Sequence, residues 1–163
     1  MNVIIKKSKL NGEVIAPPSK SYSHRYLIGA MLANNQSVIS NIYFSDDVLA
    51  TLNCIKAMGK NYKIAGNNIE IYDENIDNNF PIFDCNESGS SLRFFIPIAL
   101  SKYEKVIFKG SKRLLERGIS IYENILQNVK FIKEENQITI IGKLNPGHYK
   151  IDGSISSQYI TGL

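Results

Sequence analysis

Three serine-rich segments of the sequence have the residue types and spacing of anion-binding sites. The segments are residues 19–25 (SKSYSHR), 88–93 (SGSSLR) and 154–158 (SISSQ). Each lies at a predicted helix start, where unpaired backbone N–H groups and the positive end of the helix dipole bind phosphate and carboxylate. The serine hydroxyls add donors, and Gly89 allows the backbone to approach a ligand closely. If the segments lie together, they form one anion-binding cleft.

Positive charge accompanies two of these segments, at Lys20 and Arg25 in the first and at Arg93 in the second. The chain contains 15 lysines but only four arginines, so each arginine is a candidate for a position that needs a planar guanidinium. Lys20 would offer an anion a point charge, and Arg25 could offer a bidentate contact. These cations indicate an anionic ligand more clearly than the net charge of +4 does.

More ordinary roles are open for the same residues. A serine at a helix start commonly only caps the helix, and acidic residues such as Asp46 and Asp47 commonly only offset the helix dipole. Arg113 and Arg117 also fit a solvated helix start, and His24 fits either a cleft ligand or a polar spacer. Three segments at equivalent positions of a repeat favour a shared site over separate caps.

The elements that would position these segments alternate between helix and strand. Helices are predicted at 20–33, 46–58, 89–100 and, with a break near Gly118, 114–127. Strands are predicted at 2–6, 13–16, 37–42, 62–65, 68–72, 105–109, 129–133 and 137–141. Ser19, Ser45 and Ser88 are expected to begin the first three helices.

The pattern repeats along the chain. Arg25 corresponds to Arg93 and Val38 to Val106, each at an offset of 68 residues, and residues 69–71 correspond to residues 138–140 at an offset of 69. We therefore predict an α/β fold of β-α-β-α-β-β units, with repeat one at about 16–74 and repeat two at about 80–142. A third repeat begins at about 147, and the chain is expected to be truncated within it.

Composition excludes several classes of protein. A chain of 163 residues with 44% hydrophobic and 21% charged residues is a folded domain, or a domain and part of another. No apolar run reaches the ~18–20 residues of a membrane span, and no secretory signal is recognisable. Cys54 and Cys85 have no metal or redox spacing, so we predict two unpaired thiols and a cytoplasmic protein.

Five short motifs occur in an order and at a spacing that resemble the EPSP (5-enolpyruvylshikimate-3-phosphate) synthase family. They are PSKSxSxR (18–25), SDDV (45–48), SGxxxR (88–93), LER (115–117) and DGSxSSQ (152–158). Each motif alone is loose, but the five together are specific and cover nearly the whole chain. The resemblance implies the enolpyruvyl transferase-like inside-out α/β barrel, in which each of two domains has three units with helices inward and sheets outward.

The resemblance also implies a domain arrangement and an activity. Residues 1–15 would pack with a second domain that this chain lacks, and residues 16–163 would be a truncated substrate-binding domain. The family transfers the enolpyruvyl group of phosphoenolpyruvate (PEP) to the 5-hydroxyl of shikimate 3-phosphate and releases phosphate, without metal or other cofactor. The implied partners are these two anionic small molecules, with no nucleic acid and no membrane, and a monomer at full length.

Site residues follow from the resemblance, motif by motif. Lys20 would contact both substrates, and the remaining shikimate 3-phosphate ligands would be Ser21, Arg25, Ser156 and Ser157. PEP would be bound by Gly89, Arg117 and Gln158. The general base and acid would lie in the half that is absent, so no catalytic residue is expected here and the chain alone should not turn over. The family usually has Asn in place of His24 and commonly Asn in place of Glu87.

Two other functions remain as alternatives. The sister transferase that acts on a UDP-amino sugar has Asn after its helix-opening Lys and a reactive Cys near the position of Arg117. Here Ser21 follows Lys20, and residues 110–118 contain no Cys. The second alternative is a non-catalytic phosphate- or RNA-binding module of the same repeat fold, which a titration with RNA at physiological salt would identify.

Overall fold

The computed structural model describes residues 3–4, 6–7, 9, 11–74, 80–116 and 119–163. Its helices are α1 (Lys20–Leu32), α2 (Asp46–Ala57), α3 (Gly89–Lys102), α4 (Lys112–Glu116), α5 (Ser120–Ile125) and α6 (Ser157–Gly162). Its strands are β1 (Ser37–Ile39), β2 (Lys60–Ala65), β3 (Asn68–Asp73), β4 (Ile82–Asp84), β5 (Lys105–Lys109), β6 (Lys130–Lys133) and β7 (Gln137–Ile141).

Two sheets repeat one another. The first has the order β1-β3-β2 and the second the order β4-β5-β7-β6, with β4 parallel to β5 and every other pairing antiparallel. Ser37 pairs with Ile71 in the first sheet, and Val106 pairs with Ile140 in the second, so both strands are offset by 69 residues. The predicted α/β repeat is therefore confirmed, as is the offset of 69 predicted for residues 69–71, but the offset of 68 predicted for Val38 is wrong by one.

The corrected offset explains the burial of the strands. Val38 corresponds to Ile107 rather than to Val106, and a shift of one residue moves a strand side chain to the opposite face. Accordingly Val38 is 66% exposed, whereas Val106 is fully buried. β1 is also shorter than predicted and ends at Ile39, and Asn41 has a φ of 59°, which extended backbone does not allow.

The same correction applies to the helix starts. Ser19 and Ser88 both occupy the N-cap position, and their side chains accept hydrogen bonds from Tyr22 N and Ser91 N. An offset of 68 would match Lys20 with Ser88, whereas the two caps match Lys20 with Gly89. Arg25 and Arg93 are consequently not equivalent, since Arg25 is six residues after its cap and Arg93 is five residues after its own.

The predicted strand at 13–16 is wrong: these residues form no strand, and Val14 and Ile15 are 92% and 96% exposed. Glu13–Ile15 lie 69 residues before β4, a strand that was not predicted and that pairs with β5. Among the described residues no strand pairs with 13–16, and a strand without a neighbour has no partners for its backbone groups. For the predicted strand at 2–6, residues 3, 4 and 6 form no strand, while residues 2 and 5 lie outside the described residues.

The helices form the interior and the sheets pack on their outer faces. α2 packs on α1 and on α3, and α3 also packs on α6. Phe83 of β4 stacks on Phe108 of β5 with ring centroids 4.7 Å apart. The Phe83 ring also lies 5.9 Å from the ring of Phe95 in α3, so these rings pack the second sheet against the helices. This inward arrangement of the helices brings their N-terminal ends together.

The two cysteines of the chain lie close together in the interior. Cys54 and Cys85 are buried with their Sγ atoms 3.7 Å apart and are not disulfide-bonded, so the predicted free thiols are confirmed. Each helix in the described ranges is too short or too polar to cross a lipid bilayer.

Candidate anion-binding site

Lys20 is the first residue of α1, and its side chain reaches the start of α2. Its Nζ atom lies 2.5 Å from Oδ2 of Asp47, which is the second residue of α2. The Lys20 side chain remains 56% exposed. The pair therefore ties two helix starts together while leaving the ammonium accessible to a ligand.

Arg25 lies one turn further along α1 and connects it to two other helices. Its Nη1 atom donates to the Ser21 carbonyl at 3.0 Å and to the Ser21 hydroxyl at 2.7 Å, and its Nη2 atom donates to Thr161 of α6 at 3.4 Å. The guanidinium also lies over the ring of Phe94 in α3, 5.2 Å from its centroid. Arg25 and Ser21, both predicted ligands of one substrate, are thus in direct contact.

Gln158 of α6 bridges two residues of α3. It accepts a hydrogen bond from Arg93 Nη1 at 2.7 Å, and its Nε2 atom donates to the Ser90 hydroxyl, also at 2.7 Å. A Cβ atom added to Gly89 would lie 3.7 Å from Arg93 Nη1, so Gly89 is beside the same guanidinium. Arg93 is not among the ligands predicted from the sequence, whereas the structure places it between Gly89 and Gln158.

Ser156 and Ser157 begin α6. Ser156 is the N-cap, and its hydroxyl accepts from Gln158 N at 3.3 Å; Ser157 is exposed. The close approach of α6 to α3 depends on Gly162, where a Cβ atom would meet the Arg93 carbonyl at 2.7 Å. This approach holds the two serines on the same side of the molecule as Arg93.

A buried chain of hydrogen bonds lies beneath these exposed groups. His24 Nδ1 is 2.7 Å from the Thr51 hydroxyl, which is 2.8 Å from the Ser91 hydroxyl, and Ser91 donates to the Ser88 hydroxyl at 2.7 Å. All four side chains are buried. The pKa of His24 is lowered to about 4, mainly by burial; the carboxylate of Asp47 opposes this shift, and the charges of Lys20 and Arg25 contribute to it.

The N-terminal ends of α1, α2, α3 and α6 are therefore joined by polar contacts. Among the ion pairs of the described residues, Lys20 has a carboxylate partner, whereas Arg25 and Arg93 bond only to neutral groups. Their charge is consequently not neutralised by a neighbouring acid, which suits an anionic ligand. Glu87 is exposed beside this site, and Arg117, a predicted PEP ligand, lies outside the described residues.

The described part of the chain contains no group of three or more His, Cys, Asp or Glu residues that could hold a metal ion. The donors that do converge are ammonium, guanidinium, amide and hydroxyl groups. Such donors bind phosphate and carboxylate, and they can also stabilise negative charge that develops during a reaction.

Comparison with known proteins gives a consistent result. The family model described as EPSP synthase (3-phosphoshikimate 1-carboxyvinyltransferase) matches residues 4–163. The chain is 47% identical over 167 residues to a 3-phosphoshikimate 1-carboxyvinyltransferase of Clostridium perfringens strain SM101, and 42% identical over 180 residues to one of Clostridioides difficile strain 630. These alignments cover 99% and 98% of this chain but only 39% and 40% of the relatives.

The fold is similar to that of a solved EPSP synthase from Acinetobacter baumannii, with a TM-score of 0.69 and 20% sequence identity. The similarity extends over 93% of this chain and 37% of that structure, and it supports the predicted enolpyruvyl transferase-like architecture. Since the family model matches nearly every residue of the sequence, the chain belongs to the EPSP synthase family.

Proposed function

We propose that this chain supplies the shikimate 3-phosphate side of a 3-phosphoshikimate 1-carboxyvinyltransferase. In this reaction the enolpyruvyl group of PEP passes to the 5-hydroxyl of shikimate 3-phosphate, and phosphate leaves. The proposal rests on family membership together with one structural observation. The starts of four helices are linked side by side, and the cations among them have only one carboxylate partner in the described residues.

Each predicted ligand has a role in this proposal. Lys20 contacts both substrates, and Ser21 and Arg25 hold shikimate 3-phosphate. The start of α6 adds Ser156 and Ser157, whose hydroxyls bind the phosphate of that substrate. The Arg25–Ser21 contact supports this assignment, because an arginine that is already held needs little ordering when the anion arrives.

PEP would occupy the neighbouring part of the site. Gly89 and Gln158 would line it from α3 and α6. Arg117, which lies outside the described residues, remains a predicted PEP ligand. We add Arg93 to this set, because it donates to Gln158 and lies beside Gly89. Shikimate 3-phosphate and PEP are both anions, so an excess of positive charge where they meet lowers the cost of bringing them together.

Proton transfer would require residues from outside this chain. The chain spans about 39% of the length of the curated relatives it matches. We propose that the general base and the general acid belong to the part of the relatives that this chain does not match, so the 163 residues bind substrate without completing the reaction.

Isothermal titration of the purified chain with shikimate 3-phosphate tests the proposed site. Lys20→Ala and Arg25→Ala should each weaken binding about tenfold or more, because a charge-assisted hydrogen bond contributes roughly 1.5–3 kcal/mol. Arg25→Lys should recover only part of the affinity, since an ammonium cannot reproduce the planar guanidinium.

Lys63→Ala is the matched control, because Lys63 is an exposed lysine of β2, outside the set of contacts that join the helix starts. It removes the same charge and should leave the affinity unchanged. Equal affinity of the unmodified chain and both site variants would contradict the proposal. Tighter binding to RNA than to shikimate 3-phosphate at physiological salt would favour the non-catalytic module instead.

A further inference from the structure

The direction of the buried hydrogen-bond chain can be assigned from its geometry. Ser91 donates its hydroxyl proton to the Ser88 hydroxyl, so towards Thr51 it can only accept. The Thr51 proton then points to Ser91 at 2.8 Å rather than to the Asp47 carbonyl, a second acceptor at 3.4 Å, and the Thr51 oxygen accepts from His24 Nδ1. The chain therefore runs in one direction, from His24 Nδ1–H to Ser88, and each bond polarises the next.

This assignment fixes the tautomer of His24. The neutral imidazole carries its proton on Nδ1, which leaves a lone pair on Nε2. That nitrogen is buried and has no hydrogen-bond partner within the described ranges, so no competing contact draws the proton to the other side of the ring. The ring is held by Thr51 alone on one side and by packing on the other.

The chain connects three helices at the ends where the proposed ligands lie. His24 is on α1 one turn after Lys20, Thr51 is on α2 one turn after Asp47, and Ser88 caps α3 immediately before Gly89. The residues joined are 27 and 40 positions apart in sequence. Their contact therefore fixes the α3 start relative to α1, which neither helix could do alone.

We propose that His24 is a positioning residue, which acts through Thr51 and Ser91 to hold the Ser88–Gly89 helix start in register with Lys20, Ser21 and Arg25. This inference rests on the proposed function, because it gives the two halves of the substrate site a fixed spacing. A displacement of about 1 Å between groups that act on two reactants is enough to lower the reaction rate by a large factor.

Thr51→Val tests the chain, because it removes the hydroxyl while nearly keeping the side-chain shape; Thr51→Ser restores the hydroxyl. Nitrogen NMR of the His24 ring at pH 7 should show the proton on Nδ1 in the unmodified chain and in Thr51→Ser. In Thr51→Val the proton should shift largely to Nε2. A packing role without the directed chain would not produce this pattern.

Amide hydrogen exchange measures whether the start of α3 is still held in place. In Thr51→Val, the amides of Ser91 and Leu92 should exchange at least tenfold faster, while the amide of Ile140 in β7 stays unchanged. Thr139→Val is the matched control, since it makes the same substitution in β7, on the outer sheet. It should leave both the His24 tautomer and the exchange at α3 unchanged.

A titration with shikimate 3-phosphate and then with PEP separates this inference from the proposed function. In the unmodified chain, shikimate 3-phosphate should shift the amide resonance of Ser21, and PEP should shift that of Gly89. In Thr51→Val, Ser21 should still respond with an affinity within threefold, whereas the Gly89 response should be lost.

The positioning role would be overturned by a proton on Nε2 in the unmodified chain, or by equal acceleration of exchange at α3 and β7. A Gly89 response that persists in Thr51→Val would do the same. Absence of any response in the unmodified chain would instead contradict the proposed function, and the tautomer and exchange data would still decide the positioning of the α3 start.

Discussion

At the residue level, burial makes the ionisation of His24 part of the stability of the fold. The folded pKa is about 4, whereas the unfolded chain has the ordinary value of about 6.5. Between these values the unfolded state binds more protons, so the free energy of unfolding falls as the pH drops from about 6.5 towards 4. The charged groups that act on the ring are Lys20 and Arg25 from α1 and Asp47 from α2.

We predict that the His24→Asn variant has a weaker pH dependence of stability than the unmodified chain. Between pH 7 and pH 5 the unmodified chain should lose about 2 kcal/mol more, since each unit of differential pKa is worth about 1.4 kcal/mol. Urea denaturation at both pH values measures the difference. Parallel stability changes in the two proteins would show that His24 is not the titrating group.

The arginines illustrate how similar residues acquire different roles from their surroundings. Arg25 and Arg93 resemble each other in the sequence, but they occupy different positions after their helix caps. Arg25 binds Ser21 and Thr161 and lies over Phe94, whereas Arg93 binds Gln158 and lies over Tyr159. An aromatic ring covers one face of each guanidinium, and the neighbouring polar groups orient its N–H donors.

At the level of helices, a side chain would fit at one glycine position but would clash at another. Gly29 of α1 has open space where a Cβ atom would be, whereas a Cβ atom at Gly162 of α6 would meet the Arg93 carbonyl and the Tyr122 hydroxyl at 2.7 Å. Gly29→Ala should therefore stabilise the chain by about 0.5–1 kcal/mol, because alanine favours the helix. Gly162→Ala should destabilise it by about 1–3 kcal/mol, because backbone atoms must move.

Thermal unfolding and shikimate 3-phosphate titration of both glycine variants test this prediction. Gly162→Ala should also weaken binding, since it moves α6 and with it Ser156 and Ser157, the proposed ligands of the substrate phosphate. Gly29→Ala should bind as the unmodified chain does. Equal stability changes in the two variants would contradict the role of Gly162 in the contact between α3 and α6.

The elements differ in how far the sequence determines them. Ser19 and Ser88 were predictable as helix caps because capping is a local interaction. β4 was missed because only three residues form it, and its pairing with β5 is a tertiary contact. The 13–16 segment has the local pattern of a strand, yet it forms none, because a strand also needs a neighbour.

The residues of the candidate site also differ in how far the sequence predicts them. Lys20, Arg25 and Gln158 were accessible to motif and helix-start arguments. Thr51 and Ser91 were not, because nothing in their local sequence indicates that the two side chains meet over 40 positions in a buried chain. Buried polar contacts of this kind depend on helix packing, which a single sequence does not report.

On the scale of the whole molecule, the repeat explains why a binding site forms where it does. Each unit places a serine-capped helix start at the same end, and packing α3 between α2 and α6 brings those ends together. The site is thus assembled from several units, and no single unit holds it. Residues 1–15 remain predicted to pack with a second domain, and residues 16–163 remain predicted to form the substrate-binding one.

We predict that the purified chain binds shikimate 3-phosphate but releases no phosphate from PEP above the background without protein. Binding groups alone can orient the substrates, but the transfer also needs a base for the 5-hydroxyl proton and an acid for PEP. A phosphate-release assay measures this, with the Clostridium perfringens relative as the positive control and a shikimate 3-phosphate titration to show that the chain is folded. Phosphate release that rises with chain concentration and disappears in Lys20→Ala would contradict the prediction, because the proton-transfer groups would then have to lie within these 163 residues.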